Sequence, residues 1–268
     1  MSDQAGKLTD SAPGGILKLA VVGKGGAGKT VLCTLLARRF AAGGSRVLAL
    51  DLDTSPGLAI SLGIDPSDSP LPEEAIEENK KSAYGWALRS GLDARVVVAR
   101  YGVPTDEGII FLGLGNTSTV SNPTKRYIEA IRKVAQDFNE PGWVMVGDLS
   151  AGPTTPFEAY ERFASFTLVA VEAAPASILA GQRIRSILSH NHSEHAVVVT
   201  KSRGPADSER VEREVGEVIG SVPHDADLRA SELSGRLSDP RPDGAVAGAV
   251  DDLVEKICSI SNFGEVVR

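Results

Sequence analysis

The octapeptide GKGGAGKT, Gly23 to Thr30, follows the apolar run ILKLAVV and opens a helical pattern at Lys29. It satisfies G-x-x-x-x-G-K-[ST] with a strand before it and a helix after it, the context the motif requires. Gly23, Gly25, Gly26 and Gly28, with Ala27, let the backbone close on a phosphate, and the helix start through Val31 adds favourable partial charge. Lys29 is placed to reach the β- and γ-phosphates of a nucleotide, and the Thr30 hydroxyl to ligate Mg²⁺. One lysine is enough for that work, so Lys24 is surplus and must have another contact.

Two further apolar runs end in carboxylates: RVLALDLD in Asp51 and Asp53, and WVMVGD in Asp148. Acidic side chains at strand ends can hold a hydrated cation, orient a water or cap the next turn.

These residues must be positioned by the elements that carry them. The segments 16–23, 46–51, 109–113, 143–148, 166–171 and 196–201 are short β-rich apolar runs, and helical patterns at 29–44, 124–138 and 177–190 lie between most of them. This alternation predicts a mostly parallel α/β sheet with helices on both faces in three layers, and ligands at the carboxyl ends of the strands. Asp51 and Asp53 then end the second strand, beside the phosphate loop, and Asp148 ends a strand two along. Residues 67–107 are irregular: ARVVVARYGV reads equally as strand or helix. A mixed-charge helix closes the chain over 244–260.

Together these segments resemble the deviant Walker A class of P-loop ATPases, the MinD/ParA superfamily of the SIMIBI class. It includes the nitrogenase iron protein and the CooC-type accessory ATPases of carbon monoxide dehydrogenase maturation. The resemblance runs from Lys18 nearly to the end and implies an ATP-sandwich homodimer using ATP and Mg²⁺. In it Lys24, as the signature lysine, crosses to the partner's nucleotide. By the family's D-x-D-x-x-x-x-L pattern, Asp53 orients the attacking water at the metal site and Asp51 supports it. GDLSAGP resembles the Walker B and switch II region, with Asp148 binding the metal through water and Gly152 free to turn. The catalytic set implied is therefore Lys24, Lys29 and Asp53, and the metal set Thr30, Asp53 and Asp148.

For the base, VVVTKSRGPAD stands where guanine-specific relatives carry N-K-x-D. Thr200 and Lys201 fall at the nucleotide, but Arg203 replaces the acidic residue. No carboxylate is then expected at guanine's N1–H, which favours ATP over GTP. The stretch VPHDADLRASELSGRL resembles the family's I-P-x-D-x-x-x-R-x-A segment, with Pro223 covering adenine and Asp225 and Arg229 in the matching places.

The output of such a switch is less defined. LDLDTSPGLAISLGI and VEAAPASILAGQRI look most like the CooC-type group, implying maturation of a metalloenzyme, yet Asn116, Thr117, Ser118 and Thr119 stand where that group has Cys-x-Cys. Hydroxyls are poor substitutes for thiolates. The alternatives are a positioning ATPase on DNA or membrane, with Arg183 and Arg185 as a basic patch, and a regulatory switch docking a protein client through residues 67–107. His190, His192 and His195 form a further cluster with metal-ligand chemistry.

The net charge of −7 disfavours a dedicated nucleic-acid binder. Two cysteines, Cys33 and Cys258, form no staple or metal pattern and suggest the cytoplasm. No window approaches a membrane span and the last helix is no membrane anchor. Residues 1–14 are expected to be a loose tail, and residues 15–268 a single domain.

Overall fold

The structure is a computed structural model, describing residues 15–53, 57–65, 71–82, 85–114, 124–150, 163–261 and 263, with the side chains of 124–126 excepted. The N-terminal tail, Gly152 and residues 116–119 lie outside the described residues.

The strands are β1 Leu17–Gly23, β2 Arg46–Leu52, β3 Ile76–Glu78, β4 Trp86–Leu88, β5 Val103–Pro104, β6 Ile109–Gly113, β7 Trp143–Leu149, β8 Phe166–Val171, β9 His195–Ser202 and β10 Val218–Pro223. The helices are α1 Lys29–Ala42, α2 Gly57–Ser61, α3 Ala94–Tyr101, α4 Thr124–Asp137, α5 Pro175–His190, α6 Pro205–Glu214, α7 Ala226–Ser234 and α8 Ala245–Ile260.

Eight strands form one sheet in the order β10-β9-β8-β1-β7-β2-β6-β5, parallel except for β5, while β3 and β4 pair as a separate hairpin. All of β1 is buried because both faces are covered. Its alternating residues divide accordingly: Leu19 and Val21 join the core under α1 and α8, and Ala20 and Val22 join the core under α4 and α5. Lys18 breaks this run for a reason: its Nζ donates to the Ala135 and Gln136 carbonyls at 2.9 and 2.8 Å, closing the end of α4. Burial pulls its pKa down to about 8 against the raising effect of Asp137.

The topology corrects the expected placement of the acidic strands. β7 lies between β1 and β2, so Asp148 ends the strand next to the phosphate loop and Asp51 the one beyond. ARVVVARY is helical, with Asp93 accepting from the Val96 amide as its N-cap. The rest of the irregular region contains a 3-10 turn at Glu73–Ala75, the hairpin and β5. Sequence reading also missed β10, an edge strand interrupted by Gly220, and α6, whose only buried residue is Val211. Neither carries apolar periodicity.

Candidate nucleotide site

At the carboxyl end of β1 the chain turns sharply because it passes against β8. A Cβ at Gly23 would lie 2.5 Å from the Ala170 carbonyl oxygen, so only glycine fits. The loop then closes through an Ala27 amide bond to the Lys24 carbonyl at 3.0 Å and enters α1 at Gly28 in a left-handed conformation, φ 76°. Thr200 and Lys201, at the end of β9, hold it from outside. Thr200 Oγ1 donates to the Ala27 carbonyl at 2.7 Å and Lys201 Nζ to the Gly26 carbonyl at 2.5 Å. Since a trans peptide aims its N–H away from its C=O, fixing the Ala27 carbonyl turns the Gly28 amide to the opposite side, as an anion nest requires. Lys29 is buried at the start of α1, whereas Lys24 is exposed and, among the described residues, makes only a 3.3 Å bond to the adjacent Gly25 carbonyl.

Beneath the loop stand two buried carboxylates in register on adjacent strands, Asp51 and Asp148. Asp51 spends its oxygens on the backbone, accepting from the Asp53 amide at 3.1 Å and the Leu58 amide at 3.0 Å. Burial, and then the charge of Asp148, raise its pKa well above the carboxylate range. It therefore braces the turn into α2. Asp148 Oδ2 accepts from the Thr30 hydroxyl at 2.5 Å, while Asp148 Oδ1 is buried with no partner among the described residues. Burial raises Asp148 to about 6, countered by the Thr30 bond and the Lys29 charge. Asp53 is half-buried, close enough for its charge to raise Asp148 further.

A hydroxyl and an unsatisfied carboxylate oxygen are the hard donors that suit Mg²⁺. No group of three or more His, Cys, Asp or Glu able to hold a metal occurs among the described residues. Thr30 and Asp148 thus fit a cation that takes its other ligands from phosphate and water.

Beside Gly28 opens a cavity of about 480 Å³, between α1, the ends of β9 and β10, and the first turn of α7. Val31, Leu35, Val222 and Leu228 give it apolar walls, and Thr200, Lys201, Pro223, Asp225 and Arg229 also line it. Asp225 Oδ1 caps α7 through the Asp227 and Leu228 amides, both at 2.9 Å. Asp207, four residues beyond Arg203, is a further carboxylate at this cavity. Its Oδ2 accepts the Arg203 amide at 2.7 Å. The acidic group arrives from the first turn of α6, a short-range fold that spacing to Thr200 does not reveal.

A strand, loop and helix built in this way recur in known proteins. The profile of the CobQ/CobB/MinD/ParA nucleotide binding domain matches residues 19–238, spanning the phosphate loop, both carboxylate strands and the cavity. The chain belongs to this family. An uncharacterized ATP-binding protein of Methanocaldococcus jannaschii is 25% identical over 238 residues, 82% of this chain and 90% of that one. The septum site-determining protein MinD of Pyrococcus horikoshii, solved with Mg-ADP, superposes with a TM-score of 0.71 at 16% identity, covering 94% of this chain and 98% of that one. A chain of the MinC:MinD cell division protein complex of Aquifex aeolicus superposes with a TM-score of 0.64 at 19% identity, covering 91% of this chain and 96% of that one.

Within this CobQ/CobB/MinD/ParA domain several other candidate residues have structural duties. Arg185 donates to the Val215 carbonyl at 2.5 Å and so caps α6, which removes it from an open basic patch. His195 Nδ1 lies 2.7 Å from the Ser193 carbonyl and Nε2 3.5 Å from Ser189 Oγ, so the histidine cluster does not converge on a metal. No helix of the described residues is long and apolar enough to cross a membrane.

Proposed function

We propose that this chain is an ATP-dependent molecular switch, residues 15–268 forming one unit that closes as a homodimer on ATP and hydrolyses it to ADP and phosphate. The observation that carries the reading is the Thr30–Asp148 pair with its unsatisfied Oδ1, set below a loop whose carbonyls are tied back. Lys29 binds the phosphates within its own subunit. Lys24, exposed and making no ion pair among the described residues, is free to lend charge to the partner's nucleotide. Asp53 orients the attacking water, and Thr30 and Asp148 hold Mg²⁺, which when bound neutralises phosphate charge. The M. jannaschii relative's name supports ATP as the nucleotide.

The energy of the cycle goes to a protein client in the cytoplasm, a reading supported by the MinC:MinD neighbour. The CooC-like stretches make a maturing metalloenzyme one candidate client; gene neighbourhood separates it from a positioning role.

Phosphate release and calorimetry test the mechanism. Lys29→Ala is expected to lose ATP binding. Lys24→Ala should keep ATP binding by the monomer while turnover falls about 10³-fold or more, the scale of a charge supplied in trans. Unchanged turnover in Lys24→Ala removes the trans role, and wild-type protein that ignores ATP with Mg²⁺ removes the whole reading.

A further inference from the structure

The cavity beside the phosphate loop has four carboxylates in its lining, and their engagements differ. Glu172 is paired with Lys201 at 2.6 Å, and Lys201 is also bonded to the Gly26 carbonyl, so this group belongs to the phosphate end. Glu232 is paired with Arg229 at 2.5 Å. Asp225 serves two amides of α7. Asp207 alone of the four is anchored by a single neutral donor, the Arg203 amide at 2.7 Å, and its Oδ1 has no partner among the described residues.

That bond ties one oxygen of the carboxylate to the backbone. Oδ2 is spent on the backbone, which leaves Oδ1 as an acceptor at the border of the cavity. Val31, Leu35, Val222 and Leu228 offer apolar contact to a planar heterocycle, and the Asp207 Oδ1 offers an acceptor to its amino group.

We propose that Asp207 is the base-reading residue of this site, its free oxygen accepting a hydrogen bond from the exocyclic 6-amino group of adenine. This assignment rests on the ATP reading above and adds to it the group that selects the base. A carboxylate bond to such a donor is charge-assisted, and a site built around it rejects an analogue lacking the donor.

Calorimetry on the full chain with Mg²⁺ compares ATP with purine riboside 5′-triphosphate, which lacks the 6-amino group, and with GTP. Wild type is expected to bind ATP about tenfold or more tighter than the purine riboside analogue. Asp207→Asn retains a carbonyl oxygen for the Arg203 amide, which holds the side chain in place and turns its NH₂ toward the base. ATP affinity in this variant should fall to that of the analogue, whose own affinity stays unchanged, while the ligand-free melting temperature stays near wild type. Asp225→Asn should weaken both nucleotides alike.

Discrimination by Asp207→Asn equal to wild type, or its loss in Asp225→Asn alone, overturns the proposal and leaves Asp207 as a helix cap. A uniform loss of both nucleotides in Asp207→Asn does the same. Wild type preferring GTP overturns the adenine assignment while sparing nucleotide binding, and wild type binding none of the three overturns the ATP reading itself.

Discussion

Burial holds the Asp148 carboxyl near 6 in the ligand-free chain, above an unfolded value of 3.8. A raised carboxylate stabilises the fold fully only below its unfolded pKa, and that contribution is lost as pH rises through the folded value. The full difference, about two pH units, is of the order of 3 kcal/mol. Ligand-free protein at pH 7.5 therefore carries a destabilising charge that Asp148→Asn removes. We expect this variant to melt higher than wild type at pH 7.5 without ligand, to lose the advantage by pH 4, and to gain little from Mg²⁺ with ATP. Wild type melting higher at pH 7.5 would show that Thr30 and Lys29 already compensate the charge. At this scale the motif residues were readable because phosphate chemistry restricts them to few types. For Asp51 the sequence left a cation, water or capping role open, since its partners are amides and leave no trace in side-chain identity.

At the scale of elements, the phosphate loop depends on β9 as much as on β1. Thr200 donates a buried bond across 173 residues to the Ala27 carbonyl. Thr200→Val keeps the β-branched shape but leaves that carbonyl unsatisfied, at a cost of about 1–3 kcal/mol. Nucleotide affinity should drop about five- to tenfold with little change in turnover at saturation. Equal affinity in calorimetry would show that the loop holds its shape without β9. The apolar strands could be read because burial on both faces leaves near-continuous Val, Leu and Ile. By contrast, α6 reads PADSERVERE with one buried valine, and β10 lies at an edge with Gly220 in it. Each takes its structure from neighbours, and sequence periodicity carries no record of that.

For the whole molecule, one charged cluster joins distant segments. Arg38 of α1, only 9% exposed, pairs with Glu107 at 3.1 Å and Asp239 at 3.2 Å and donates to the Leu237 carbonyl at 2.8 Å. The Leu237 amide in turn donates to the Ser61 carbonyl at the end of α2, at 3.0 Å. The segment following α7 is thereby clipped to the helix that follows Asp53. Arg38→Met leaves Glu107 its second partner, Arg236 at 2.9 Å, but takes the donor from the Leu237 carbonyl, at a cost of about 1–3 kcal/mol. A chain of this size should then melt roughly 2–12 °C lower, with the cavity beside Gly28 and the α2 turn loosening together in hydrogen exchange; loosening of one without the other would show they are independent. The fold class was legible from alternation alone. The insertion of β7 between β1 and β2 was not, because strand order is decided by crossover connections and not by strand composition.

The tie between β9 and the phosphate loop also bears on kinetics. A cradle whose carbonyls are secured in advance needs no folding step when its ligand arrives, so encounter should proceed at about 10⁶ M⁻¹s⁻¹ or faster. Differences in nucleotide occupancy between variants would then come from how long the ligand stays, which makes release the step that sets the clock.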